Sequence, residues 1–394
     1  MSSMEHKKYF LVLLLAAVLF SGEGNDCRAQ SDNPPPVDIV FCIDLSGSTN
    51  GIIEHIRNHL WHFVHEAEQL QPQANYRFGF VGYSRPSFGK DNAYVKVIRD
   101  LSYDNEALSS EMFALKPVVE QGSQFVGAAL MNCIKEMHWS KEDNAVKVIF
   151  LAGNGFVNAD GNTYKKASEL AATRGIVIHS LYWQSYTLPR ELPGWREIAG
   201  MAGGKFYNVN VAYNHTGIDT GFDTQQLSML NEELNSTYLY YGKEGKTRYK
   251  MMAAQDENIL EVSPRGFRYR MAYKTSWRYQ KKNSSWDLVD LFSKLDTLRK
   301  RDFDPELLPD SLQKMSDAKF YEFLIQKNET RNLVLAKMHK LIKARETQER
   351  EAILAHREEL KRRKEPADEI KPSIDNLIML LMVEEAMKKG FTKK

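Results

Sequence analysis

Sulfur is scarce in this sequence, with three cysteines in 394 residues. Cys27 falls in the N-terminal segment, which leaves Cys42 and Cys133 for the folded protein. Two thiols cannot staple a disulfide scaffold and read as buried free side chains. An excess of one charge is also lacking. Lys and Arg total 53 against 51 Asp and Glu, so no global field favours nucleic acid or an anionic membrane. Catalytic patterns are absent too: there is no G-x-S-x-G elbow, H-E-x-x-H, C-x-x-C or G-x-G-x-x-G. G-K-E-G-K-T at 242–247 imitates a phosphate loop, but Tyr240 stands where the first glycine belongs and no apolar strand leads into it. No internal repeat is evident.

The long apolar run that does occur is Y-F-L-V-L-L-L-A-A-V-L-F. It follows Lys7 and Lys8 and precedes a polar exit. This is the layout of a signal peptide over residues 1–30, cleaved near Ala29–Gln30, and the run is short for a membrane span. A secreted or periplasmic protein with no membrane span after cleavage is expected. Pro34, Pro35 and Pro36 close a linker over 31–36 that cannot be helical.

Strands and helices then alternate. Apolar strands are expected at Val37–Ile43, Tyr76–Tyr83, Tyr94–Leu101, Val146–Ala152, Ile176–Trp183 and Phe206–Val209. The second and third can pair as a hairpin, giving one antiparallel edge. Ile53, Ile56, Leu60, Phe63, Val64 and Ala67 share one face of a helix, and Gly127–Met137, Tyr164–Thr173 and Trp195–Met201 show similar patterns. The expected fold class is α/β: a Rossmann-like, doubly wound, mostly parallel sheet over 37–215. From residue 216 to 394 charged helical patterns take over, and this mainly α-helical region is expected to pack on the first domain. Asp317–Leu360 reads as one long helix whose seam of Val334, Met338, Leu341, Arg345, Gln348 and Ala352 is only partly apolar. A last helix follows Pro372 and Ser373, with Ile374, Leu377, Ile378, Leu381 and Met382 on one side and Gly390 at its end.

The chemistry gathers where the first strand meets solvent, in V-D-I-V-F-C-I-D-L-S-G-S-T-N-G. Asp44, Ser46 and Ser48 are hard oxygen ligands, and the carboxyl ends of the strands are where open α/β sheets bind ligands. Mg²⁺ takes six oxygens, keeps several as water, and needs only one or two carboxylates. His55, His59 and His62 share a face of the following helix and read as a polar face turned to solvent. Trp286, Asp287 and Asp290 could suggest a site, but Trp286 and Leu288 read as anchoring a helix against the first domain.

D-L-S-G-S, at the end of D-I-V-F-C-I and before an amphipathic helix, resembles the D-x-S-x-S motif of von Willebrand factor type A domains. The resemblance extends over roughly 35–215 and implies a metal-ion-dependent adhesion site completed by a Thr and a second Asp from two later loops. Here those loops read G-S-Q-F-V-G-A-A-L (122–130) and K-V-I-F-L-A-G-N-G (147–155). Gln124 takes the Thr position with Ser123 beside it, and Asn154 replaces the Asp. The implied ligands are Asp44, Ser46, Ser48, Ser123, Gln124 and Asn154. The implied ion is Mg²⁺, or Mn²⁺ or Ca²⁺, held weakly or not at all because one negative charge faces it instead of two. A narrower resemblance, to uncharacterised exported bacterial type A proteins, rests on I-F-L-A-G-N-G, L-N-S-T-Y-L-Y-Y-G (234–242), S-S-W-D-L-V-D-L (284–291), L-L-P-D-S-L-Q-K-M-S (307–316) and a helix led by Arg331. Together these imply a non-enzymatic adhesion-type module whose cation meets an acidic side chain of a protein partner. Two alternatives stay open: a structural envelope protein with a vestigial metal site, and a hydrolase with an unrecognised site in the helical region.

Overall fold

The computed structural model describes residues 34–116, 123–184, 189–210, 224–295, 298–362 and 374–393. The expected signal peptide with Cys27, residues 31–33 of the linker, the boundary near 215 and Pro372–Ser373 lie outside them. β1 (Pro36–Asp44) leads into α1 (Asn50–Glu68), then β2 (Leu70–Gln71), β3 (Asn75–Tyr83), β4 (Lys96–Ser102), α2 (Asn105–Ala114) and α3 (Val126–Glu136). β5 (Val146–Gly153), α4 (Thr163–Thr173), β6 (Val177–Gln184), α5 (Leu192–Met201) and β7 (Phe206–Asn210) follow. The helical part holds α6 (Thr224–Asn235), α7 (Gly242–Val262), α8 (Pro264–Lys274), α9 (Trp277–Asn283), α10 (Leu288–Lys294), α11 (Asp310–Gln313), α12 (Asp317–Arg362) and α13 (Ile374–Lys388), before β8 (Thr392–Lys393).

The main sheet runs β4-β3-β1-β5-β6-β7, parallel except for β4, which pairs antiparallel with β3 as the hairpin reading expects. β1 is buried along its length after Pro36 because both faces of the sheet are covered. Ile39, Phe41 and Ile43 point into one core; Val40 and Cys42 point into the other with α3, α4 and α5. Cys42 and Cys133 are buried free thiols within that second core.

On the first face the core continues from α1 into α7, α8, α12 and α13. α8 and α13 both pack on α1, and α13 also reaches β5. This corrects the histidine reading. His62 is buried with its ring stacked on Tyr269, centroids 3.8 Å apart, and His59 and His65 face Asp375 and Glu346 at 3.5 Å. The face is polar because it meets charged helices, not because it meets water. The docking groups also differ from expectation. Trp286 stacks on Tyr238 within the helical part, whereas Tyr273 and Arg270 of α8 lie on the Trp61 ring of α1.

Candidate metal site at the sheet edge

Asp44 is the last residue of β1, and a tight turn at Gly47–Thr49 carries the chain into α1. The turn is tied by its own side chains. Ser46 N donates to Asp44 Oδ1 at 2.9 Å, and Thr49 Oγ1 donates to the carbonyls of Asp44 and Ser46, both at 2.9 Å. Ser46 Oγ lies 3.3 Å from Ser48 Oγ. β5 runs beside β1 and delivers Asn154 to the same edge, where its Oδ1 accepts from Ser48 Oγ at 3.4 Å. Gln124 reaches in from the segment just before α3. Its Nε2 donates to Asn154 Oδ1 at 3.1 Å and to Asp44 Oδ2 at 3.4 Å.

Five of the six residues singled out in the sequence therefore meet. Ser123 is not brought into this set among the described contacts; its carbonyl accepts from Phe125 N at 3.0 Å in a local turn. Burial raises Asp44 to about 6, against the hydrogen bonds from Ser46, Ser84 and Thr49 that pull it down. The carboxylate is the one formal charge among the five, and no group of three or more His, Cys, Asp or Glu suited to a metal occurs among the described residues.

A surrounding layer holds the Asn154 loop, and sequence reasoning missed it. Glu191 Oε2 accepts from Gly155 N at 2.8 Å and from the Tyr182 hydroxyl at 2.6 Å, and Trp195 Nε1 donates to Gly155 O at 2.8 Å. Gly155 has φ +81°, and a Cβ there would fall 1.7 Å from Gln124 Oε1. The bare glycine is what lets Gln124 lie across the edge. Only Thr49, adjacent to the motif, carried a local signal; Glu191 and Trp195 are far away in sequence. Phe156, next along the loop, is 49% exposed.

Four neutral or charged oxygens, from Asp44, Ser46, Ser48 and Asn154, are of the hard type that suits Mg²⁺, Mn²⁺ or Ca²⁺. The Gln124 amide N–H groups already engage two of them. An ion and this amide thus compete for the same atoms.

Residues 38–210 match the von Willebrand factor type A domain. Among solved structures, the proximal thread matrix protein 1 from the mussel byssus is 19% identical, with a TM-score of 0.33, over 44% of this chain and 42% of that one. The pilus adhesin SpaC from Lactobacillus rhamnosus GG is 14% identical, with a TM-score of 0.34, over 44% of this chain and 29% of the adhesin. The SpRpn10 VWA domain is 10% identical, with a TM-score of 0.34, over 45% of this chain and 89% of that domain. The chain thus spans less than half the length of the first two. No curated protein matches it. Residues 38–210, with their mostly parallel sheet and D-L-S-G-S edge, thus have the von Willebrand factor type A fold.

Proposed function

We propose that the chain is a non-enzymatic binding module of the cell envelope. It offers its sheet edge to an acidic group of a protein partner, through a Mg²⁺-type cation held by Asp44, Ser46, Ser48 and Asn154. The convergence of these side chains with Gln124, from three separate segments, is the observation that supports this reading. One carboxylate gives the ion a weak hold and leaves it positive charge with which to attract a partner carboxylate. Exposed Phe156 beside the edge adds apolar surface for such a partner. The envelope setting rests on the signal-peptide pattern of residues 1–30.

A second reading, a metal-free structural protein, is favoured by the two Gln124 hydrogen bonds, which satisfy Asp44 and Asn154 without an ion. Thermal melting with Mg²⁺ or Mn²⁺ against chelator, at constant ionic strength, separates the two. At about 5 mM ion the wild type is expected to gain about 2 °C, and Asp44→Ala to gain nothing. Asn154→Asp should enlarge the gain by restoring a second charge, and Gln124→Ala by removing the competing amide. If the wild type and Gln124→Ala both melt identically with and without ion, the metal-free reading holds.

A further inference from the structure

Two Asn–Gly steps occur in the sequence, Asn50–Gly51 and Asn154–Gly155. Such steps are reactive. A glycine has no Cβ to shield its backbone nitrogen, and that nitrogen can attack the side-chain carbonyl carbon of the asparagine before it. Asn50 opens α1 with helical backbone, φ −50° and ψ −34°. A helical side chain leans back towards the N-terminus, away from the next nitrogen. Asn154 instead lies just past the end of β5, outside any helix or strand, and Gly155 is in the left-handed region at φ +81°.

The groups around the second step match what the reaction needs. Gly155 N donates to Glu191 Oε2 at 2.8 Å, so a carboxyl oxygen already stands on the proton that the attacking nitrogen must lose. Asn154 Oδ1 accepts from Gln124 Nε2 at 3.1 Å and from Ser48 Oγ at 3.4 Å, so two donors already stand on the oxygen that gains charge. Asn154 and Glu191 are both buried, where such interactions act more strongly than in water. A contact that only fastened the loop would need neither a base on the nucleophile nor donors on the electrophile, and here both converge on one dipeptide.

We propose that Asn154 is a self-processing residue, which the fold converts to aspartate. Gly155 N attacks Asn154 Cγ while Glu191 takes its proton. The N–Cγ bond forms, the Cγ–Nδ2 bond breaks, and Nδ2 leaves as ammonia with that proton. Water then opens the cyclic imide at Cγ. The net change is asparagine plus water giving aspartate plus ammonia, with nothing oxidised or reduced. Opening at the main-chain carbonyl would give isoaspartate, with an extra carbon in the backbone path. Glu191 on Gly155 N and Trp195 Nε1 on Gly155 O at 2.8 Å hold the original path and favour opening at Cγ. The chemistry does not depend on a metal. Its consequence rests on the metal reading above: the product carries the second carboxylate that the sheet edge lacks, so the conversion would activate the site.

The test is peptide mapping by mass spectrometry of the full chain, aged at neutral pH and physiological temperature. Position 154 is expected to convert at least about tenfold faster in the folded chain than in a peptide of residues 150–158, and to fall to the peptide's rate in denaturant. Asn50, in the same chain, should show no such acceleration. Glu191→Gln should slow the conversion about tenfold. Should that variant fold poorly, Gln124→Ala, which removes one donor from Asn154 Oδ1, takes its place and should slow it as well. The proposal is overturned if the folded chain converts no faster than the peptide, if the folded variant keeps the wild-type rate, or if isoaspartate is the main product. Fresh and aged chains are then melted with and without Mg²⁺. A larger gain for the aged chain supports the metal reading too, whereas conversion with no effect of the ion leaves the self-processing standing and counts against the metal.

Discussion

His62 shows how a single side chain reports its surroundings. It is buried on α1 against Tyr269, with Nε2 3.9 Å from Glu66 Oε1. Burial drives its pKa well below the ordinary value, and Arg265 and Arg268 of α8, with His59 and His65 of its own helix, push the same way. The unfolded chain titrates at about 6.5 and so takes up this proton first. The neutral ring's contribution is therefore whole above that pH and is lost as pH falls below it. Acidification from about pH 7.5 to 5.5 should lower the melting temperature, and His62→Phe, which keeps the ring contact, should reduce the drop. If both proteins show the same slope of melting temperature with pH, His62 is not the group responsible. In the sequence, His55, His59 and His62 looked like a solvated face. Spacing identifies a shared helix face but says nothing about what packs against it.

Among the elements, the stretches that had no evident chemistry prove to be parts of one clasp. Leu239 N donates to Asp287 Oδ1 at 2.7 Å, Tyr241 N to Trp286 O at 2.8 Å, and Leu288 N to Leu239 O at 2.9 Å. Asp287 also caps α10, accepting from Asp290 N at 2.9 Å. Arg331 of α12 closes the clasp. Its guanidinium bonds Asp287, Asp290 Oδ1 at 2.6 Å and Thr237 Oγ1 at 2.9 Å, and lies over the Tyr238 ring. All three charged groups are buried. Arg331→Ala should cost about 3–5 kcal/mol in denaturant unfolding, because it strands two carboxylates away from water. Adding Asp290→Asn should recover part of that loss, and strictly additive losses would mean that the groups are not coupled. The anchor expected of Trp286 and Leu288 against the first domain is directed instead within the helical part, where Trp286 stacks on Tyr238 and Leu288 packs with Leu312 and Phe320. α2 escaped the sequence reading for a related reason. Its inner face carries Asn105, Glu106 and Ser109, and Ser109 Oγ donates to Gln255 Oε1 of α7 at 2.7 Å. A helix that buries polar groups against polar partners shows no apolar period.

At the scale of the whole molecule, the last described elements fold back onto α1 and β2. α13 packs on α1 and β5, and Glu385 lies 3.4 Å from His179 of β6. β8 pairs with β2 through Leu70↔Lys393 and Gln71↔Thr392. Ile374, Leu377, Ile378, Leu381 and Met382 are all buried in the α1-side core. Burying each such side chain contributes about 1.5–3 kcal/mol, and together they rival a typical net stability of about 5–15 kcal/mol. Residues 216–394 expressed alone should thus be helical by circular dichroism but melt broadly, and a chain ending before α13 should lose its cooperative transition. A sharp, independent melt of the isolated fragment would sink this view and make two autonomous domains.

What the sequence determined by itself is local. Runs of β-branched and aromatic residues sufficient to place six strands, 3.6-residue periods on helices with an apolar face, and an Asp-Ser-Ser turn at a strand end all act between near neighbours. What only the tertiary structure decided depends on residues far apart in the chain. It set Gln124 across Asp44 and Asn154, and Glu191 beneath Gly155. It also made the last helix a cover for the first face of the sheet. Those contacts are chosen by burial and hydrogen-bond satisfaction over the whole fold, and no window of sequence contains both partners.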